Sequence, residues 1–141
     1  MNHIRCIGWM LIGLALSLTS AAAMADVVAV VSAKSSITAV SKSQLADIFL
    51  GKTNRFPDGT QATPVDQAEG SAARDEFCDK IVGKTAAQIK AYWSKIIFTG
   101  RGQPPPTVSS ASEMKKRVSE NPAAIGYLDS SMVDDSLRVV F

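Results

Sequence analysis

Apolar and polar positions divide this chain into short runs of contrasting period. Ile7 to Leu18 is an almost unbroken apolar stretch. Val27 to Val31 is a β-branched run suited to a buried strand, and Lys34-Ser35-Ser36 breaks it. From Ser41 or Ser43, either of which can cap a helix, Leu45, Ile48 and Phe49 fall on one face, and Gly51 stands where a left-handed C-terminal cap is wanted. Pro57-Asp58-Gly59 is a turn in which proline pre-sets φ and glycine supplies positive φ. Ala62 to Val65 then reads as a strand.

The second half has the longer helical spacings. Ser71 is placed to cap a helix carrying Ala73, Phe77, Ile81 and Val82, and Gly83 ends it. A further helix is predicted from about Thr85 to Phe98, with Ile89, Tyr92, Trp93, Ile96 and Ile97 as a broad apolar stripe. Thr99 to Pro106 is a Gly/Pro loop. Ser110-Ala111-Ser112-Glu113 has the form of a capping box and opens a helix with Met114 and Val118 that stops before Pro122. Ala124 to Leu128 and Leu137 to Phe141 are the last strands. Four strands alternating with four helices predict an α/β fold, its sheet mixed or mostly parallel and flanked by helices.

The N-terminal apolar run changes the domain count. Arg5 supplies a positive start, and Ala23-Met24-Ala25 forms a small-x-small cleavage box before Asp26. The run is shorter than the roughly 20 residues of a spanning helix. Residues 1–25 are therefore expected to be a signal peptide cleaved after Ala25, and residues 26–141 one domain in the periplasm, not membrane-spanning once cleaved.

Charge narrows the partners. The 15 Lys and Arg residues, Arg5 among them, stand against 13 Asp and Glu. So even a balance argues against a basic nucleic-acid surface. Catalysis finds few candidates: the one histidine, His3, lies in the signal segment, leaving no imidazole base. Cys78 is the only cysteine beyond Cys6, too little for an internal disulfide or a zinc site. It reads either as a reactive thiol or intermolecular bridge, or as a small buried hydrophobe beside Phe77 and Ile81. Asp134-Asp135 reads as a solvated turn, and Glu76 with Lys80 as an i,i+4 ion pair. No catalytic residue, metal or cofactor is assigned, and no enzyme activity is expected.

Anion binding has a physical case. Glu69-Gly70-Ser71 leads into a helix start, whose free N–H groups attract anions. Ser71 can donate its hydroxyl to a ligand and Arg74 can pair with a negative group; the plainer reading is a cap and a solvated arginine. Arg101, between Gly100 and Gly102, presents a cation on a mobile loop that either covers a ligand or meets a partner; the plainer reading is an exposed connector.

Three motifs in order carry a resemblance. They are Ile48-Phe49-Leu50-Gly51-Lys52 at a helix end, Trp93 before the Gly100-to-Pro104 loop, and Val118 through Pro122 to Ile125-Gly126-Tyr127. Together they span nearly all of residues 26–141, and the chain resembles one lobe of the phosphate-binding proteins of ABC transporters, type 2 periplasmic binding proteins. The resemblance implies a solute-binding role in transport or sensing, with phosphate or a related oxyanion as ligand. Glu69, Gly70, Ser71, Arg74 and Arg101 are the candidate ligand residues. In the family, the acid of this loop accepts the proton of hydrogen phosphate, and here that acid is Glu69. The family's loop arginine is replaced by Gln67 and its threonine by Ala73, and nothing matches the other lobe, so binding is expected to be weak. The implied protein partners are an ABC permease, another periplasmic protein, or a second copy of the chain. The alternative function is an interaction module that has lost its ligand and uses the exposed former cleft for protein contact or self-association.

Overall fold

The computed structural model describes residues 26–141, so the expected signal segment lies outside the described residues. Six strands and four α-helices follow in the order β1 (Val27–Ser32), α1 (Lys42–Phe49), β2 (Thr63–Pro64), β3 (Asp66–Gln67), α2 (Ala72–Phe77), α3 (Ala86–Phe98), β4 (Thr107–Val108), α4 (Ala111–Glu120), β5 (Ala124–Asp129) and β6 (Leu137–Val139). The main sheet has the order β2-β5-β1-β6, and β3 pairs with β4 in a separate two-stranded ladder. Strand β1 runs antiparallel to β5 and β6, whereas β2–β5 and β3–β4 are parallel. The sheet is thus mixed, and its longest pairings are antiparallel.

The predicted strand Ala62–Val65 is only part of a longer extended segment shared between the two ladders. The Thr63 and Val65 N–H groups donate toward β5, to Ala123 and Ile125, while those of Asp66 and Ala68 donate to Pro106 and Val108 on the other side. Strand β4 falls between the predicted loop and the predicted helix. Two residues after three prolines give no periodicity to read.

The helix starts follow their caps. Ser41 and Thr85 form complete capping boxes with Gln44 and Gln88. Ser110 caps α4, but the Glu113 carboxylate reaches back one residue further than a capping box requires, accepting from the Ser109 N–H at 3.0 Å and the Ser109 hydroxyl at 3.1 Å. The helix begun by Ser71 runs on as a wider π-helical turn over Cys78–Val82 before Gly83. Gly51 lies at φ 71°, and a Cβ there would come within 3.0 Å of the Trp93 ring, so turn and close approach both call for glycine.

The core lies on both faces of the sheet. One side packs α1 and α2 through Leu45, Ile48, Phe49 and Phe77 against Tyr127 and Ile125, and the other packs Met114 and Val118 of α4 against Val30 and Leu128. Phe77 stacks on Tyr127 with ring centres 4.0 Å apart and 6° between planes, and Phe49 meets Phe77 edge-on at 4.7 Å. Burial of each such side chain contributes about 2 kcal/mol. The α3 stripe is narrower than its sequence suggests: Ile89 and Trp93 are buried, but Ile97 is 49% and Phe98 92% exposed.

Candidate functional site

Where the main sheet meets the β3–β4 ladder, a buried polar network rests on the Phe77–Tyr127 stack. The Tyr127 hydroxyl donates to Asp66 Oδ1. The Gln67 N–H donates to the same carboxylate oxygen at 2.8 Å, and the Gln67 amide donates to the Tyr127 carbonyl at 2.9 Å. The Gln67 side-chain oxygen Oε1 in turn accepts the Ser71 hydroxyl at 2.8 Å. Burial, and secondarily the Asp66 carboxylate, push the Tyr127 phenol well above its ordinary pKa, so it stays a neutral donor.

Arg74 lies at the edge of this network. It is 8% exposed, with Nε 3.4 Å from Asp66 Oδ2 and Nη1 4.0 Å from Glu69 Oε1. Its Nε is buried and makes no hydrogen bond among the described residues. The guanidinium lines a cleft of about 240 Å³ with Asp66, Glu69, Lys90, Ser94 and Thr107, walled by Trp93, Ile97, Pro104 and Pro105. Pairing of Asp66 with Thr107 across β3–β4 fixes one side. Lys90, Ser94 and Ile97, at i, i+4 and i+7 on α3, form the other.

The candidate residues from the sequence divide. Glu69 and Arg74 line the cleft together, and Gly70 holds φ 86° in the turn between them, a value that side chains rarely adopt. Ser71 acts as the cap: its oxygen accepts from the Arg74 N–H at 3.4 Å, while its proton goes to Gln67. Its helix continues as α-helix only to Phe77, so the anion case rests on the Arg74 side chain more than on the helix start. Nor is Arg74 the solvated residue of the plainer reading. Arg101 is separate from these: it lines a different groove of about 640 Å³ with Leu50, Tyr92, Trp93 and Lys95.

Asp66 and Lys90 were not singled out by the sequence reading. An acid at the end of an apolar strand, next to the family loop, was the signal for Asp66. The i, i+4, i+7 spacing was the signal for Lys90. Of the two readings of Cys78, the structure supports the buried hydrophobe: the thiol is enclosed, and burial followed by the Asp66 charge pushes its pKa up to about 11. Asp134 bonds Ser136 and pairs with Lys115 at 2.7 Å, and Glu76 pairs with Lys80 at 2.6 Å. Among the described residues, no helix is long and apolar enough to cross a membrane.

No family model and no curated protein matches the sequence. Solved structures do match the fold. One is a protein from Clostridium perfringens assigned as a phosphate ABC transporter substrate-binding protein, with phosphate bound. It has TM-score 0.64 and 24% identity, and the match covers 82% of this chain and 44% of that one. Another is an ABC-type phosphate transport receptor from Vibrio cholerae, with TM-score 0.63 and 20% identity over 82% of this chain and 45% of that one. A third is PstS from Borrelia burgdorferi, with TM-score 0.59 and 16% identity over 82% and 46%. This chain thus spans less than half the length of those proteins, and at these identities the likeness is one of fold. The chain has the α/β fold of a single lobe of the phosphate-binding proteins of ABC transporters.

Proposed function

We propose that this chain is a periplasmic solute-binding-type protein that holds phosphate or a related oxyanion in the cleft beside Arg74, in connection with ABC transport or sensing. The observation that carries this reading is the buried Arg74 guanidinium, whose Nε has no hydrogen-bond partner and which borders an open cleft. Its ion pair with Asp66 at 3.4 Å leaves that buried donor without a hydrogen bond, and a bound oxyanion would add an acceptor for the guanidinium. Lys90 adds a second cation. Glu69 and Asp66 add carboxylates, which tolerate an anion that still carries a proton to donate and repel one that does not. Hydrogen phosphate has that proton at neutral pH and sulfate does not.

The Ser71 hydroxyl is left out of this ligand set because Gln67 holds its proton. With Gln67 in place of an arginine, one charge-assisted contact worth roughly 1.5–3 kcal/mol is absent. A cleft open to water weakens the remaining ones. Affinity far below that of a transport receptor is expected, and sub-micromolar phosphate binding by the monomer in calorimetry would contradict it. A thermal-shift screen of oxyanions gives the first test. Phosphate at 100 times its dissociation constant should stabilise the protein by about 2.7 kcal/mol, and sulfate should do much less. Equal shifts for the two anions would remove the role given to the carboxylates.

A second reading is favoured by Phe98, 92% exposed beside the cleft residue Ile97. In this reading the face is a protein contact, with an ABC permease, another periplasmic protein or a second copy as partner, and Arg101 faces that partner. It predicts a flat oxyanion screen, and a mass above one chain in light scattering if the partner is a second copy.

A further inference from the structure

The cleft beside Arg74 is larger and more apolar than a bare inorganic anion requires. Its volume is about 240 Å³, against roughly 30 Å³ for one water molecule. A tetrahedral oxyanion on the guanidinium leaves much of that space unfilled. Besides the charged groups, Ser94 and Thr107, the lining of the cleft is Trp93, Ile97, Pro104 and Pro105. Beyond those prolines lies a second cleft of about 250 Å³, which shares Trp93, Pro104 and Pro105 with the first and adds Ile48, Pro64 and Pro106. No Asp, Glu, Lys or Arg lines that second cleft. Thr53, Asn54, Thr63 and Gln103 line it too, so charge is confined to the first cleft and the second is uncharged but of mixed polarity.

The apolar wall is also stiff. Pro104-Pro105-Pro106 has its φ angles fixed by the rings, and Trp93 is buried. A wall that loses little freedom on contact gains more from apolar groups laid against it. Ile97 is 49% exposed, an apolar side chain at the rim that nothing in the described chain covers.

We propose, on the reading that this cleft takes an oxyanion, that its preferred ligand is an organic phosphate monoester with a compact apolar substituent. The phosphoryl group sits against Arg74 and Lys90, and the substituent lies along Ile97, Pro104 and Pro105. Inorganic phosphate satisfies only the charged end.

Calorimetric titration of the purified protein with inorganic phosphate, methyl phosphate and phenyl phosphate, at constant pH and ionic strength, tests this. Filling a hydrophobic pocket by even one methylene is worth at least about tenfold in discrimination. Phenyl phosphate should therefore bind at least about tenfold more tightly than inorganic phosphate, with methyl phosphate between them. Ile97→Ser should move the ratio of phenyl phosphate to phosphate affinity toward one. Equal affinity for phosphate and phenyl phosphate, or a preference that Ile97→Ser leaves unmoved, overturns the proposal while the oxyanion reading stands. A protein that binds none of the three overturns both.

Discussion

The floor of the candidate cleft and its α3 wall are built on opposite principles. In the floor, Tyr127, Asp66, Gln67 and Ser71 partner one another over an aromatic stack, and Tyr127 reaches Gln67 and Asp66 from 60 and 61 residues away. In the wall, Lys90 forms no ion pair among the described residues, Ile97 is half exposed, and its neighbour Phe98 is almost wholly exposed. The floor has little left to offer a ligand, and the wall has little to lose by changing. Arg74 lies on the border between them, buried with the floor and ion-paired to Asp66, yet without a hydrogen bond at Nε. The difference separates what holds this lobe together from what is free to recognise something.

That separation can be challenged by mutation. The largest effect is expected from Phe77→Ala, which removes the ring stacked on Tyr127 and leaves a cavity beneath the network. It should cost about 4 kcal/mol in denaturant unfolding. Asp66→Ala should come next, at about 3 kcal/mol, because it strands the buried Arg74 charge and leaves the Tyr127 hydroxyl without its acceptor. A loss below about 1 kcal/mol would mean that water already serves Arg74 and that the floor is not closed.

A subtler effect concerns pH. The buried Cys78 thiol is raised to about 11 from an ordinary value of 9.0. A folded value above the unfolded one means that stability is fully present below pH 9 and is lost as pH climbs toward 11. Part of that loss should vanish in Cys78→Ala, seen as a shallower fall of melting temperature over the same range; parallel curves would show the thiol to be exposed. Smallest of all, Arg101→Ala, on the loop after α3 and outside the cleft, should change stability by less than about 0.5 kcal/mol. A larger cost in thermal unfolding would tie its loop to the fold and blur the contrast.

The sequence revealed the elements more clearly than the site because caps and periods are local. Ser41, Thr85, Gly51 and Gly83 each act within a few residues, and the structure places each of them as a helix start or stop. The motif Ile125-Gly126-Tyr127 indicated the lobe, and its glycine has a plain reason: a Cβ on Gly126 would lie 2.5 Å from the Met114 sulfur. The site was harder to read because its geometry joins segments about 60 residues apart. Ser71 and Arg74 look like ligand residues in the linear chain. Only folding shows that Gln67 takes the Ser71 proton while Arg74 pairs with Asp66 and borders the cleft. Arg101 was grouped with them by residue type, but α3 and the loop after it carry it to another groove. Lys90 was hidden in a stripe read for its apolar members alone.

The most direct test of the account is calorimetric titration of phosphate into the wild type, Arg74→Lys and Ser71→Ala. Arg74→Lys keeps the charge beside Asp66 but removes the Nε donor and the planar fork. If the buried guanidinium is the anion's anchor, Arg74→Lys should abolish measurable binding, while Ser71→Ala keeps affinity within a few fold. Binding that survives in Arg74→Lys and disappears in Ser71→Ala would contradict the account and return the site to the serine.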